Sequence, residues 1–323
     1  LNGYTLLMHQ AEERLATLKH QEAAMIFPTG YTTNVGLVTS LVRENDKVVF
    51  DELSHASFLD GLRMSGANAE GFQHNNLEHL ESILARDEMN YVNVFVAVEG
   101  VYSMDGDLAP LDQITELCDK YNAYLILDDA HGTGVMGVDG SGTARHFNCQ
   151  NKIDLTMGTF SKAFAMTGGF LAGKAELIDS IRFLARPYMF SAALPPVALA
   201  AILAGLDLIE SKPELRKHLF ENVNYAVEQL RPLELCAEPE AAIISVKVPS
   251  WIRIRKLNYK IHQSGVFLNA IEYPAVAKEE QRLRISITTQ HTRKDIDHLA
   301  SALKSAFEDS SCHEHVMEEH EQS

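Results

Sequence analysis

From about residue 4 to about residue 175, short apolar runs alternate with helically patterned stretches. Ala23–Phe27, Lys47–Phe50, Val92–Val98, Tyr124–Leu127, Leu155–Met157 and Gly169–Ala172 predict strands, because each is a brief apolar run of strand length. Leu77–Ala85 and Leu111–Tyr121 carry apolar residues at helical spacing and predict helices. Alternation of this kind predicts an α/β fold with a largely parallel sheet covered on both faces. In such sheets ligands bind outside the carboxyl ends of the strands.

The character of the chain changes after a long apolar helix predicted over Pro195–Ser211, which Lys212-Pro213 ends. Glu214–Leu230 predicts a helix with a charged face. Ala242–Val248, Ile252–Ser264 and Leu283–Thr288 predict strand, helix and strand, and Thr292 caps a closing helix to Phe307. The expected division is a large domain over residues 1–211, a smaller α+β domain over 212–310, and a mobile acidic and His-rich tail over 311–323. No ligand spacing of a structural zinc site occurs, so no metal is expected. The opening Leu1-Asn2-Gly3 reads as mid-domain sequence, and the expectation is that the first part of the large domain is missing.

Composition narrows the partners. A length of 323 residues is enough for two cores, and 46% hydrophobic with 22% charged residues is ordinary for a globular protein. A formal charge of -16 argues against nucleic acid, whose phosphates reward Lys and Arg. No apolar run reaches the length of a membrane span. Cys118, Cys149, Cys236 and Cys312 are scattered without a CxxC pair, which suits a reduced, cytoplasmic setting.

Candidate chemistry collects at the strand ends. Tyr124–Leu127 runs into Asp128 and Asp129, and His131 follows with two nearby glycines. A carboxylate ending a buried strand needs a partner, so it either caps, pairs or faces a bound cation. Gly158–Gly169 sets Lys162 in a turn of small and hydroxylated residues between apolar runs. Burial there would lower the lysine's proton affinity and free its amine to form a Schiff base. Thr159, Ser161 and local N–H groups could hold a phosphate, as could the helix start at Gly30–Asn34. Ser54–Ser57 and Glu99–Asp107 also follow strands, and all five segments are expected on one sheet edge. Taken singly, each has a plainer reading as a cap, a surface turn or a solvated lysine.

Together and in order, these segments resemble the α-oxoamine synthases. Thr159–Ala165 with Gly168 is similar to that family's attachment signature for pyridoxal 5′-phosphate (PLP), and Arg186–Ser191 and Arg282-Leu283-Arg284 also match. The resemblance spans roughly residues 1–308. It implies the PLP-dependent transferase fold type I, with a mainly parallel seven-stranded sheet and a smaller C-terminal α+β domain. It implies that Lys162 carries the PLP Schiff base and moves the Cα proton, and that Asp128 pairs with the ring nitrogen. His131 would bond the ring oxygen, and His55 would stack on the ring. Gly30, Tyr31 and Thr159 would bind the phosphate, Glu99 and Ser103 would line the ring pocket, and Arg284 would bind the substrate carboxylate. Ser191 would reach the phosphate of a partner subunit, which implies a homodimer.

The implied reaction is decarboxylative condensation of an amino acid with an acyl-CoA to an aminoketone. The Gly158–Gly169, Arg186–Ser191 and Val266–Val276 stretches look most like serine palmitoyltransferase-type members, so serine with a long-chain acyl-CoA is the first expectation. 8-Amino-7-oxononanoate synthase and glycine C-acetyltransferase are the alternatives, and Asp128–Gly137 resembles the former equally. A non-catalytic partner subunit is the alternative of another class, and the presence of Lys162, Asp128 and His131 weighs against it. Three residues depart from the family's pattern: Ala165 where many members have Gly, Ala193 in place of a hydroxyl residue, and Glu272 where some have Arg.

Overall fold

The computed structural model describes residues 3–87, 91–309 and 312. The expected C-terminal tail, apart from Cys312, lies outside the described residues. The chain forms two compact units, one holding residues through Tyr102 with Leu108–Pro213, the other Ser103–Asp107 with the chain from Glu214 on.

The first unit opens with α1 (Leu6–Leu18), β1 (Ala23–Phe27), α2 (Gly30–Leu41), β2 (Lys47–Asp51), α3 (Ala56–Ser65) and β3 (Asn68–Phe72). It continues with α4 (Leu77–Asp87), β4 (Val94–Glu99), α5 (Leu111–Lys120), β5 (Tyr124–Asp128), α6 (Thr143–His146), β6 (Leu155–Thr159) and β7 (Gly169–Gly173). Helices α7 (Ala175–Leu184), α8 (Arg186–Met189) and α9 (Pro196–Ser211) complete it. The strands form one seven-stranded sheet in the order β1-β7-β6-β5-β4-β2-β3. The β2–β3, β2–β4, β4–β5 and β5–β6 pairs are parallel. Strand β7 is antiparallel to both β6 and β1. The β6–β7 connection is a loop without a helix, too short for the crossover a parallel pair needs. Lys162 lies in that loop.

The sheet is apolar on both faces because helices cover both. All six residues of β4 are buried. Its Phe95 and Ala97 pack with Val38 of α2, Phe58 of α3 and Ile178 of α7. Its Val94, Val96 and Val98 turn to the other face, with Leu80 and Ile83 of α4 and Ile114 of α5. Beyond the antiparallel edge, Ile26 and Phe170 pack under Leu15 of α1 and Ile202 of α9. Each such buried side chain contributes roughly 1.5–3 kcal/mol relative to exposure.

Every strand expected in this part of the chain is present, with ends shifted by a residue or two. Helix α1 and strand β3 were not anticipated. The inward stripe of α1 includes Ala11, Ala16 and a buried Glu12, so its apolar period is muted. Strand β3, Asn-Ala-Glu-Gly-Phe, is an edge strand that buries only Phe72.

Nearly all of α10 (Pro213–Leu230) belongs to the second unit, followed by β8 (Ile243–Lys247), α11 (Ile254–Gln263), β9 (Asn269–Ile271), β10 (Arg282–Ser286) and α12 (Arg293–Glu308). Its three strands form an antiparallel sheet in the order β8-β10-β9. Thr292 opens α12 with a capping box to Asp295. One boundary differs from expectation: Ser103–Asp107 groups with this unit although it precedes β5 in sequence. Hydrogen bonds hold it there. Ser245 Oγ donates to the Met104 carbonyl, Arg284 Nε donates to the Ser103 carbonyl, and Arg282 pairs with Asp105. No helix among the described residues is long and apolar enough to cross a membrane.

Candidate active site

Because β1, β2, β4, β5 and β6 all run the same way, their carboxyl ends share one edge. The five expected segments therefore meet there. His55, Glu99 and Asp128 line one pocket, with Ser54, Phe58 and Ile126. Glu99 and Asp128 are register partners on neighbouring strands.

Asp128 is held from two sides. The Ala130 N–H donates to its Oδ1 at 3.1 Å, and Asn34 Nδ2 donates to its Oδ2 at 2.8 Å. His55 is the N-cap of α3, and its Nδ1 accepts from the Ser57 N–H at 3.2 Å. Its imidazole is exposed toward the pocket it lines. Neither Asn34 nor Ser57 was given a role from sequence, although both lie inside the motif segments. A polar residue near a helix start carries no sign of its distant partner.

The phosphate candidates converge separately. Thr29 caps α2 by accepting from the Thr32 N–H, and Thr33 N–H bonds the Thr29 carbonyl. The Gly30 and Tyr31 N–H groups donate to nothing among the described residues. They are the free first-turn donors that an anion needs. Thr159 sits directly beside them: a Cβ on Gly30 would lie 2.9 Å from Thr159 Oγ1. The same hydroxyl lies 3.0 Å from Ser161 Oγ. The Tyr31 side chain turns to Asp60, so its backbone is what faces this niche.

His131 follows Asp128 in a turn closed by the Gly132 and Thr133 N–H groups bonding the Asp129 carbonyl. That loop also approaches the lysine loop, since a Cβ on Gly134 would lie 3.0 Å from Ala163 Cβ. Lys162 itself is exposed in the single chain. This corrects the expectation that its apolar flanks bury it. Phe160 and Phe170 point into the core under α1, leaving the tip of the loop outside. Ala165 turns that loop in the left-handed region, at φ 49°. This costs an L-residue about 1–2 kcal/mol, partly offset by about 0.5–1 kcal/mol of extra freedom in a glycine. Ala165→Gly is therefore expected to raise stability by up to about 1 kcal/mol, read as a higher Tm.

A buried ion pair lies beneath these loops. Lys19 Nζ is 2.6 Å from Asp129 Oδ2, with side chains only 3% and 0% exposed. Asp129 also accepts from the N–H and hydroxyl of Thr143.

In the second unit, Arg282 and Arg284 differ sharply. Arg282 pairs with Asp105. Arg284 has no carboxylate partner among the described residues, and burial pulls its guanidinium below the ordinary arginine value. Ser103 belongs to this unit and offers Arg284 its carbonyl. Glu272 pairs with Arg255. Ser191 is half-buried and makes no hydrogen bond among the described residues.

The residues present fit PLP. Free helix-start N–H groups and hydroxyls suit its phosphate, an acceptor carboxylate suits a protonated ring nitrogen, and an imidazole wall suits a planar ring. Comparisons with known proteins agree. The model of the aminotransferase class I and II family matches residues 3–303. The 8-amino-7-oxononanoate synthase of Thermoanaerobacter pseudethanolicus is 38% identical over 307 residues, covering 95% of this chain and 77% of the relative. The 8-amino-7-oxononanoate synthase 1 of Bacillus subtilis is 39% identical over 295 residues, covering 91% and 75%. Among solved structures, Sphingomonas wittichii serine palmitoyltransferase superimposes with a TM-score of 0.91 at 30% identity, covering 95% of this chain and 77% of that one. A serine palmitoyltransferase from S. paucimobilis with a bound PLP–myriocin aldimine gives 0.90 at 29% identity, with the same coverage.

Proposed function

The chain belongs to the aminotransferase class I and II family and, within it, to the α-oxoamine synthases, and from that premise we propose that it makes 8-amino-7-oxononanoate. It is a PLP-dependent acyltransferase of fold type I. The sequence relatives carry the choice of product: those at 36–39% identity are 8-amino-7-oxononanoate synthases, while the serine palmitoyltransferases match at 29–30%. This reading replaces serine with a long-chain acyl donor. Of the three stretches that favoured that donor, Gly158–Gly169 surrounds the cofactor lysine and says little about the acyl group, and the likeness of Arg186–Ser191 and Val266–Val276 is outweighed by the identity over the whole chain.

The product's structure gives the substrates. Decarboxylative condensation joins the acyl carbonyl carbon to the amino acid's Cα, so the bond formed lies between the 7-oxo and 8-amino carbons. The amino fragment with its terminal methyl is alanine less CO2. The rest is a seven-carbon dicarboxylic acyl group, delivered as a thioester.

PLP, when bound, supplies an electron sink for the charge that develops at the amino acid's Cα. The chain's residues do the rest. Lys162 Nζ holds the cofactor and moves the Cα proton. Asp128 keeps the ring nitrogen protonated, His55 covers one ring face, and His131 donates to the ring oxygen. Glu99 and Ser103 shape the ring pocket. Gly30, Tyr31 and Thr159 fix the phosphate end. Arg284, which has no acid partner among the described residues, takes the amino acid's carboxylate through a forked guanidinium.

A homodimer completes the site in this reading, and a cytoplasmic setting suits it. The support is exposure: Phe190 is 77%, Phe183 76% and Val197 74% exposed, and Lys162 is open to solvent. Large exposed apolar side chains such as these are what a partner subunit would cover. Ser191, beside Phe190, would serve the partner's phosphate.

The test crosses alanine, serine and glycine with seven-carbon dicarboxylic, long-chain and acetyl thioesters, and reads products by mass spectrometry. The expected result is one dominant product, 8-amino-7-oxononanoate, with CO2 released. A long-chain aminoketone from serine, or amino transfer to a keto acid, would contradict it.

A further inference from the structure

We propose that Asn34 and Ser57 are positioning residues forming a directed hydrogen-bond relay that fixes His55 as its Nε2–H tautomer. The relay starts at Asp128, whose Oδ2 accepts from Asn34 Nδ2 at 2.8 Å. Because the carboxylate acts as acceptor here, the amide nitrogen rather than Oδ1 must face it. The second hydrogen on that nitrogen goes to Ser57 Oγ at 2.9 Å. Asn34 is only 1% exposed and Ser57 1%, so water does not compete for these bonds. Ser57 Oγ lies 2.7 Å from His55 Nδ1. The hydroxyl oxygen can accept from both Asn34 and an Nδ1–H, so the direction of this bond is set by what else faces Nδ1. The Ser57 N–H points at Nδ1, from 3.2 Å. An N–H aimed at that ring nitrogen leaves no room for a proton on it, so the hydroxyl donates there too and the imidazole carries its hydrogen on Nε2.

The consequence rests on the reading of this pocket as the seat of the PLP ring. A protonated ring nitrogen held by Asp128 makes that ring cationic. A doubly protonated imidazole stacked on it would set two positive charges face to face. The relay runs from the carboxylate that would bind the ring nitrogen to the imidazole that would stack on the ring, and presents donors to its Nδ1. Two ring contacts from different elements, β5 and α3, are thereby set by one asparagine on α2.

The experiment uses the full chain with 15N-labelled histidine, with and without PLP, assigning His55 by the signal lost in His55→Gln. In the unaltered chain, Nδ1 is expected to resonate as an unprotonated acceptor and Nε2 as protonated. In Ser57→Ala and Asn34→Ala the two signals are expected to move toward each other. PLP dissociation constants should rise about tenfold, the loss expected for one such hydrogen bond. The double variant should shift His55 little beyond Ser57→Ala alone, because the relay is already cut. Circular dichroism identifies which variants fold. A proton on Nδ1 in the unaltered chain would overturn the proposal. So would unchanged His55 signals in both folded variants, which is the outcome if Asn34 only ties helices together. His55 signals that respond to the variants but not to PLP would uphold the relay and overturn the placement of the ring beside it.

Discussion

Lys162→Ala is expected to lower turnover by about 10⁴-fold or more, because one side chain both holds the cofactor and moves the Cα proton. No neighbour replaces it. The nearest polar side chains in the loop, Ser161 and Thr159, carry hydroxyls, which cannot form a Schiff base. Stability should change little, since Lys162 is exposed at the tip of the β6–β7 loop. Surface positions of this kind usually stay within about 0.5 kcal/mol. The measurement is single-turnover product formation beside a thermal melt. A large activity loss with an unchanged melt is the expected pair. Retained turnover would remove Lys162 from the site.

The largest stability effect is expected at a different lysine. Lys19→Ala or Asp129→Ala leaves its partner as an uncompensated buried charge, which costs about 3–5 kcal/mol. The pair is nearly sealed, and Asp129 also fastens Thr143 and Thr133 around it. The backbone has shaped itself to that carboxylate: a Cβ on Gly142 would lie 1.7 Å from Asp129 Oδ2. Urea midpoints of the PLP-loaded protein check this. Lys19→Met with Asp129→Leu together should cost far less than either single truncation, because neither charge is left behind. Equal or additive losses would contradict the view that the unpaired charge is what destabilises. A secondary loss of activity is expected in the single variants, since the same loop carries His131.

What could be read from sequence follows from what kind of signal each residue emits. Strands β1, β2, β4, β5 and β6 are legible because a strand buried on both faces must be a continuous apolar run. Asp128 is legible because a carboxylate ending such a run is costly unless something meets it. Helix α1 was missed because its inward face mixes alanine with Glu12, which bonds the Ile26 N–H and Arg182. Asn34 and Lys19 were missed for a related reason. Their partners stand 94 and 110 residues away, and a polar side chain carries no local mark of such a bond. Lys162 shows the opposite error. The apolar residues that flank its loop, Phe160 and Phe170, fill the core while the lysine stays outside. The first substrate expectation is less well supported than its alternative because motifs around a cofactor are shared by enzymes that accept different acyl groups.

The most direct test of the account is to reduce the PLP-loaded protein with borohydride, digest it and locate the bound pyridoxyl group by mass spectrometry. The account predicts a single modified peptide with the group on Lys162 Nζ, and none in Lys162→Ala. A pyridoxyl group on any other lysine, or none on a protein that turns over with PLP, would contradict it.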